Sequence, residues 1–377
     1  MPDNLRSTPI TMPDEGAREL VVNMGPQHPS THGVLRVKIT LNGETLEAAD
    51  PDIGYLHRCF EKISEGLTYP QVMPYTDRTD YVAAITDEWA YALAAERLLG
   101  VEVPERAEYI RVIMGEVQRL LSHLIWFGSF AMDMGAVTPF LYAWRERETG
   151  YDFMETVTGT RQLYNFLRIG GVRNDIDDDG WQALDRFLKA MDQALIEYDT
   201  LFTKNPIFEV RAKGIGPLSA EEAIAFGASG PVLRGSGVAR DLRRDEPYSV
   251  YDRLDFAVPV GSSGDAYDRY LVRMLEMEQS LRIIRQAIKQ IPPGDIQGKV
   301  PKAMKPTGEA YARVEAPKGE VACYLVGNGT VNPYRMHWRS PCFTHLQLLP
   351  HWAPGNLVAD MVVLIGTIDI ILGEVDR

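Results

Sequence analysis

Cysteine is scarce: three in 377 residues, Cys59, Cys323 and Cys342, far apart and odd in number. No Cys-x-x-Cys occurs, so this chain alone builds neither a disulfide framework nor a zinc or iron–sulfur site, and a reducing compartment is the simple reading. The ligand fingerprints Gly-x-Gly-x-x-Gly, Walker A, His-Glu-x-x-His and Gly-x-Ser-x-Gly are also missing, which argues against a nucleotide enzyme, a zinc protease or a serine hydrolase. Positive charge is short as well. A net charge of −13 lacks the basic footprint that displaces counterions from nucleic acid and the polybasic face that docks on anionic lipid. It leaves open a place beside a membrane held by protein partners. The longest apolar run, residues 357–372, is broken by Asp360 and Asp369. A spanning helix needs about 20 apolar residues, and a central Asp costs roughly 2.5–3.5 kcal/mol on insertion, so this run reads as a buried segment of a soluble chain.

What is present begins with strands. Residues 19–24 read as one, and residues 34–41 alternate, with Leu35, Val37, Ile39 and Leu41 on one face and Arg36, Lys38 and Thr40 on the other. Asn42-Gly43 predicts a type I′ hairpin returning through residues 44–49. The link over residues 25–33 is too long for a tight turn and reads as a structured loop on a rigid sheet, where function tends to sit. After Pro51 the apolar spacing turns helical, over residues 79–100, 104–135, 138–159, 177–205 and 263–291. Residues 309–329 predict a hairpin turning at Pro317-Lys318-Gly319. The length exceeds the ~250–300 residues at which single cores stop growing. The predicted class is α+β and predominantly helical: a flexible lead-in (1–16), an N-terminal antiparallel sheet (17–50), a helical bundle (51–291), a Pro/Gly-rich linker (292–307) and a C-terminal mixed cap (308–377).

Few residues stand out chemically. His28 and His32, two of only seven histidines, lie four apart beside Pro26 and Pro29. Two readings stand: surface imidazoles bonded to their own backbone, or a functional pair. Nothing at motif spacing supplies a third metal ligand. Asp133 sits among apolar or small neighbours in residues 124–142, and a buried carboxylate must be paired or neutralised; it reads as a helix cap near Gly135 or as the partner of a histidine from the 25–33 loop. Tyr81, at a predicted helix start, is a weaker candidate. Residues 145–148 (Arg-Glu-Arg-Glu) read as a solvated helix face, residues 167–175 as a helix exit with two glycines, and residues 234–243 as a tight turn.

Eight segments then carry a resemblance: NMGPQHPSTHGVLR (23–36), GYLHRCFEK (54–62), YIRVIMGEVQRLLSHL (109–124), TPFLYAWRERE (138–148), RIGGV (168–172), NPIF (205–208), LRGSGVARDLRR (233–244) and GEVDR (373–377). In this order they are similar to a family of NADH-quinone oxidoreductase subunits, the D-type, quinone-site subunits of respiratory complex I, over about residues 19–377. The resemblance implies a fold like that of nickel–iron hydrogenase large subunits with the metal lost, Ile371 and Glu374 standing where hydrogenase cysteines would be. It places the 25–33 loop, with His28 and His32, at the inner end of a quinone channel. Tyr81 and His32 are then expected to hydrogen-bond the quinone headgroup, and Asp133 to pair with His32.

The family also implies partners: a small subunit bearing the terminal iron–sulfur cluster, other peripheral-arm subunits that carry NADH, FMN and further clusters, and a membrane subunit completing the channel. The implied place is peripheral, on the cytoplasmic side of the cell inner membrane. Leu163 stands where many relatives have a histidine, which points to a low-potential quinone. The elementary chemistry agrees. Quinone reduction takes two electrons, which no residue set here carries, and two protons, which a phenol (pKa about 10) and an imidazole (about 6.5) can supply. The expected function is therefore a subunit of a proton-translocating NADH:quinone oxidoreductase, active only within the complex. The rivals are a hydrogenase-like or ferredoxin- or deazaflavin-dependent membrane oxidoreductase, and a scaffold without quinone chemistry.

Overall fold

Alternation shapes the first sheet. In the computed structural model, which describes residues 19–377, Leu35, Val37, Ile39 and Leu41 are buried. The strands Leu20–Met24, Arg36–Asn42 and Thr45–Asp52 pair antiparallel in chain order. The lead-in expected at residues 1–16 lies outside the described residues. The hairpin turn differs from expectation by one residue. Asn42 pairs with Thr45, so Gly43 and Glu44 form the loop, and only Gly43 is left-handed (φ +64°). That is the pattern of a type II′ turn, which asks for glycine only at its first central position. A register shift between Thr40 and Leu41 accommodates the displacement.

This sheet buries its apolar face against segments from the far end of the chain. Leu35, Val37 and Ile39 share one core with Leu349, Met361, Ile365, Leu372 and Val375. The second and larger core belongs to the long helices and the second sheet. The helices are Ala84–Leu99, Glu105–Asp133, Val137–Thr158, Asp178–Tyr198 and Ala266–Gln290. Their ends follow local chemistry. The Asp177 carboxylate accepts the Gly180 N–H at 2.8 Å, with Asp178 and Asp179 in the positive first turn. Gly100 and Gly159 end their helices in the left-handed conformation. Among the described residues no helix is long and apolar enough to cross a membrane.

Two local expectations are corrected. Residues 167–172 are not a helix exit but a two-pair hairpin, Leu167–Arg168 against Gly171–Val172. Its glycines admit a close neighbour: a β-carbon on Gly171 would overlap the Ile296 carbonyl oxygen. The Pro/Gly-rich segment is tied down at this point, Val172 donating to Ile296 O at 3.0 Å and Gly298 to Gly170 O at 2.7 Å. Residues 145–148 are not one solvated face, because four consecutive helical residues spread around the axis. Glu146 and Arg147 turn inward, Glu146 accepting the Tyr198 hydroxyl at 2.7 Å and Arg147 lying over the Tyr151 ring at 4.3 Å. The strands Thr307–Ala316 and Gly319–Asn328 form the predicted hairpin, and Lys318 in its turn is fully buried.

Gly25, where the 25–33 loop leaves the first strand, adopts φ +86°, and a β-carbon there would overlap the Leu35 carbonyl oxygen. Gly25→Ala is expected to cost about 1–3 kcal/mol. Faster amide exchange across residues 20–42 of the assembled protein would register it; unchanged exchange would mean the loop yields freely.

Candidate functional site

The 25–33 loop is a self-bonded turn. Pro29 opens a single 3-10 turn, Pro29–Thr31, whose N-cap is His28: its Nδ1 accepts the Ser30 N–H at 3.2 Å. The buried Thr31 donates its hydroxyl to His28 O at 2.8 Å. His32 then takes a left-handed conformation, φ +53°, which costs a non-glycine residue about 1–2 kcal/mol. The next residue, Gly33, abuts Leu372. The loop thus divides its two histidines. His28 is exposed and spent on its own backbone, away from the cavity described below; His32 points inward.

Inward lies Asp133. It is the last residue of the Glu105–Asp133 helix, so its carboxylate projects from a helix end whose direction is set by a long buried shaft. His32 Nε2 approaches Asp133 Oδ2 at 2.8 Å, both side chains mostly buried (16% and 8% exposed). Of the two readings open for Asp133, the structure takes the histidine partner.

Tyr81 arrives from a third direction, in the turn between the helices Tyr69–Thr76 and Ala84–Leu99. It is not at a helix start but three residues before one. The turn is pinned on both sides: Asp87 Oδ2 accepts the Asp80 N–H at 2.7 Å, and Gln118 Nε2 donates to Val82 O at 2.6 Å. Burial, with the neighbouring Asp80 carboxylate, raises the Tyr81 phenol above its ordinary pKa of 10, so it stays protonated at neutral pH.

His32 and Tyr81 line one cavity of about 190 Å³. Its remaining walls are Ile125, Trp126 and Ser129 of the long helix, Val82, and the segment 369–371. Trp126 is fixed by donating Nε1–H to Gly366 O at 2.8 Å and by the Arg273 guanidinium 4.2 Å from its ring centre. Asp369 is the polar group of this wall that sequence reasoning missed. It is left-handed too, φ +61°, at the end of the helix Val358–Ile368. Two non-glycine residues, His32 and Asp369, thus border the cavity in the left-handed conformation. The available signal was the charge itself, an aspartate inside an otherwise apolar run.

The cavity is small but sufficient for a ring. An engineered apolar cavity of about 150 Å³ accepts benzene. Chemically it offers a phenol donor, an imidazole steered by a carboxylate, and aromatic and aliphatic walls. A wider hollow of about 550 Å³ lies between Pro70, Met73, Arg168 and Met304. It holds none of the expected residues, and Arg168 there is turned onto its own segment, donating to Asn165 Oδ1 at 2.8 Å. Among the described residues, no three His, Cys, Asp or Glu side chains converge as metal ligands.

Comparison with known proteins identifies the family of the chain. A family model described as the 49 kDa subunit of respiratory-chain NADH dehydrogenase matches residues 133–307 and 300–377. A D-type subunit of NADH-quinone oxidoreductase from Symbiobacterium thermophilum is 54% identical over 381 residues, spanning 96% of this chain and 99% of the relative. The corresponding D-type subunits of Desulforamulus reducens and Geobacillus kaustophilus are 51% and 50% identical, each over 95% of this chain and 98% of their own length. Relatedness at this level, end to end, leaves one conclusion: the chain belongs to the family of the respiratory-chain NADH dehydrogenase 49 kDa subunit.

Proposed function

We propose that this chain works in a proton-translocating NADH:quinone oxidoreductase, and that it receives the quinone headgroup in the cavity between His32 and Tyr81. The observation carrying the reading is the convergence, in one ring-sized space, of two donors from separate parts of the chain, with Asp133 2.8 Å behind His32. Drug-sized ligands fill pockets of about 300–1,000 Å³; about 190 Å³ suits a headgroup whose tail stays outside.

In this reading Tyr81 donates its hydroxyl to one quinone oxygen. His32 meets the other through Nδ1, the nitrogen that Asp133 does not hold. Both contacts are preset, Tyr81 by its pinned turn and His32 by its carboxylate, so little orientation is left to lose when the ring enters. The headgroup gains two electrons from an iron–sulfur cluster on the small partner subunit and two protons through these donors, becoming the quinol. Ile371 and Glu374, where a hydrogenase-like site would need thiolates, provide none. NADH and FMN belong to other peripheral-arm subunits, and a membrane subunit completes the channel. The chain itself sits peripherally, on the cytoplasmic side of the inner membrane.

A photoreactive quinone analogue tests the location in the assembled complex. Labelling is expected in the peptides holding residues 25–36 and 79–84, and to be competed by excess quinone. Competable labelling confined to the peptides around Met73 and Met304 would overturn the assignment.

A further inference from the structure

Behind the wall that carries Tyr81 and Asp369 lies a second set of ionisable groups. Lys318 reaches inward from its hairpin turn. Its Nζ lies 2.9 Å from Asp80 Oδ2, 3.1 Å from Ser122 Oγ and 4.0 Å from Asp369 Oδ2. Asp80 precedes Tyr81 in the pinned turn, and Asp369 lines the cavity. One layer deeper, Glu374 Oε2 accepts the Cys342 N–H at 3.3 Å, and Asp87 Oδ2 accepts from the Thr79 hydroxyl as well as from Asp80. Lys318 is thus an ammonium set among four carboxyl groups, with Arg273 and His32 also acting on Asp369.

Hydrogen bonding does not settle them. Asp369 Oδ2, Glu374 Oε1 and Asp87 Oδ1 are buried and without a hydrogen-bond partner among the described residues, and Asp369 and Glu374 are only 5% and 0% exposed. Four carboxylates cannot all stay ionised around one ammonium away from water, so protons must reside there. Burial and the Asp80 charge push Glu374 up to about 8, against the pull of the Cys342 contacts and Lys318. Burial, Asp80 and Glu374 hold Asp87 well above the usual range. Burial raises Asp369 to about 6 and Asp80 adds to this, while Lys318, Arg273 and His32 restrain it. Burial alone would lower Lys318, but Asp369 and Asp80 outweigh it and keep it charged. Burial also keeps the Cys342 thiol protonated.

We propose that Asp80, Lys318, Asp369 and Glu374 form an internal proton reserve for the cavity, with Asp369 as the group that passes protons between the reserve and the Tyr81 wall. This rests on the cavity being the quinone site. The transfer conserves charge and atoms. When a quinone oxygen takes the Tyr81 proton, the phenolic O–H breaks and a phenolate remains. The Asp369 carboxyl releases its proton to that phenolate, and Glu374 reloads the Asp369 carboxylate. No cluster residue is oxidised, since the electrons come from the partner's iron–sulfur cluster. Lys318, locked against Asp80, keeps the emptied carboxylates tolerable.

The test uses the assembled complex carrying Glu374→Gln, with Glu374→Asp as the conservative control. Three quantities are read: affinity for a non-reducible quinone analogue, the pH profile of donor-to-quinone turnover, and the infrared carbonyl band of protonated carboxyl groups. With Glu374→Gln, analogue affinity is expected to hold, turnover below about pH 8, where Glu374 carries its proton, to fall at least tenfold with the difference from the parent closing above it, and a carbonyl component titrating near pH 8 to vanish. Glu374→Asp should restore both the profile and the band. A parental pH profile with Glu374→Gln, or a parental infrared band, overturns the reserve. So does loss of analogue affinity in both variants, which would make Glu374 a structural prop. Failure of the site reading shows separately, as analogue labelling outside the cavity in the parent complex.

Discussion

The assembled complex carrying Tyr81→Phe is expected to lose donor-to-quinone turnover by a factor on the order of a hundred or more, the scale at which a positioned proton donor contributes. Donor-to-ferricyanide turnover, which draws electrons upstream, should stay at the parental level. Phenylalanine keeps the ring and its contacts with the 369–373 segment and removes one hydroxyl. In the proposed site that hydroxyl is the donor, held protonated by burial and by Asp80, and its loss leaves the reduced ring without that proton. Equal loss of both activities would signal failed assembly. Parental rates in both would place the headgroup elsewhere and remove the basis for the His32 and Asp133 roles as well.

Glu276→Ala is the substitution with the largest expected effect on stability. Glu276 accepts from Arg234 Nε at 2.8 Å and lies 2.7 Å from its Nη2, and it accepts from His123 Nε2 at 3.0 Å, all of them fully buried. Arg234 continues to Glu315 at 2.7 Å, and the network runs on through Asp241, Arg243 and Glu116. Removing one partner from a buried pair costs about 3–5 kcal/mol, because a desolvated charge is left behind. That is a large part of the ~5–15 kcal/mol that holds a domain folded. Amide protection in the helices Gly230–Gly235 and Ala266–Gln290 should fall by roughly two to three orders of magnitude in the assembled complex. Unchanged protection would mean that the remaining carboxylates absorb the Arg234 charge.

The same network makes a pH prediction whose sign is fixed. Burial opposes ionisation of Glu116, but the Arg243 and Arg119 guanidiniums outweigh it and lower the group to about 2. A carboxylate lowered in the fold lends stability above its unfolded pKa near 4.5 and surrenders it as pH falls through the folded value. Burial lowers His123 to about 4 against the pull of Glu276. Below about 6.5 the unfolded imidazole takes up a proton that the folded one refuses, so stability again drops with acid. Glu374 and Asp369, raised in the fold, act oppositely and cost stability as pH rises from about 4 toward 8. The bundle is therefore expected to open first under acid, and the C-terminal wall of the cavity to loosen as pH rises from about 4 to 8, with no further loss above that.

What could be read from the residues follows from how locally each feature is encoded. The alternation of Leu35, Val37, Ile39 and Leu41 is a period-two signal complete within seven residues, and the sheet obeys it. The hairpin at residues 307–328 was equally plain, since strand pattern and turn residues agree. The fate of Lys318 was not, because a lysine at a hairpin turn is normally solvated. Its burial depends on Asp80 and Asp369, which no sequence window brings near it. Residues 145–148 were misread for a related reason, the inward faces of Glu146 and Arg147 being set by Tyr198 and Tyr151 across the bundle. Of the candidate site, the oddity of Asp133 and of the two histidines was legible. Which histidine faces inward was decided by the left-handed turn at His32 and by the N-cap that His28 supplies, neither of which has a residue-type signature.

The first sheet and the C-terminal helices share one core, and Asp376 accepts the N–H groups of Gly54 and Leu56 at 2.8 and 2.6 Å across more than three hundred residues of chain. Closing a loop of that length carries an entropic charge that grows only as the logarithm of its length, yet contacts so distant in sequence form late and slowly. The helical bundle lies inside that loop, its core shared with the second sheet. The cavity is different, since His32 comes from one side of that closure and Asp369 from the other. A nascent chain that has emerged only as far as the second sheet carries His32 and Tyr81 without the wall at residues 369–371. The cavity exists only once the two ends have met.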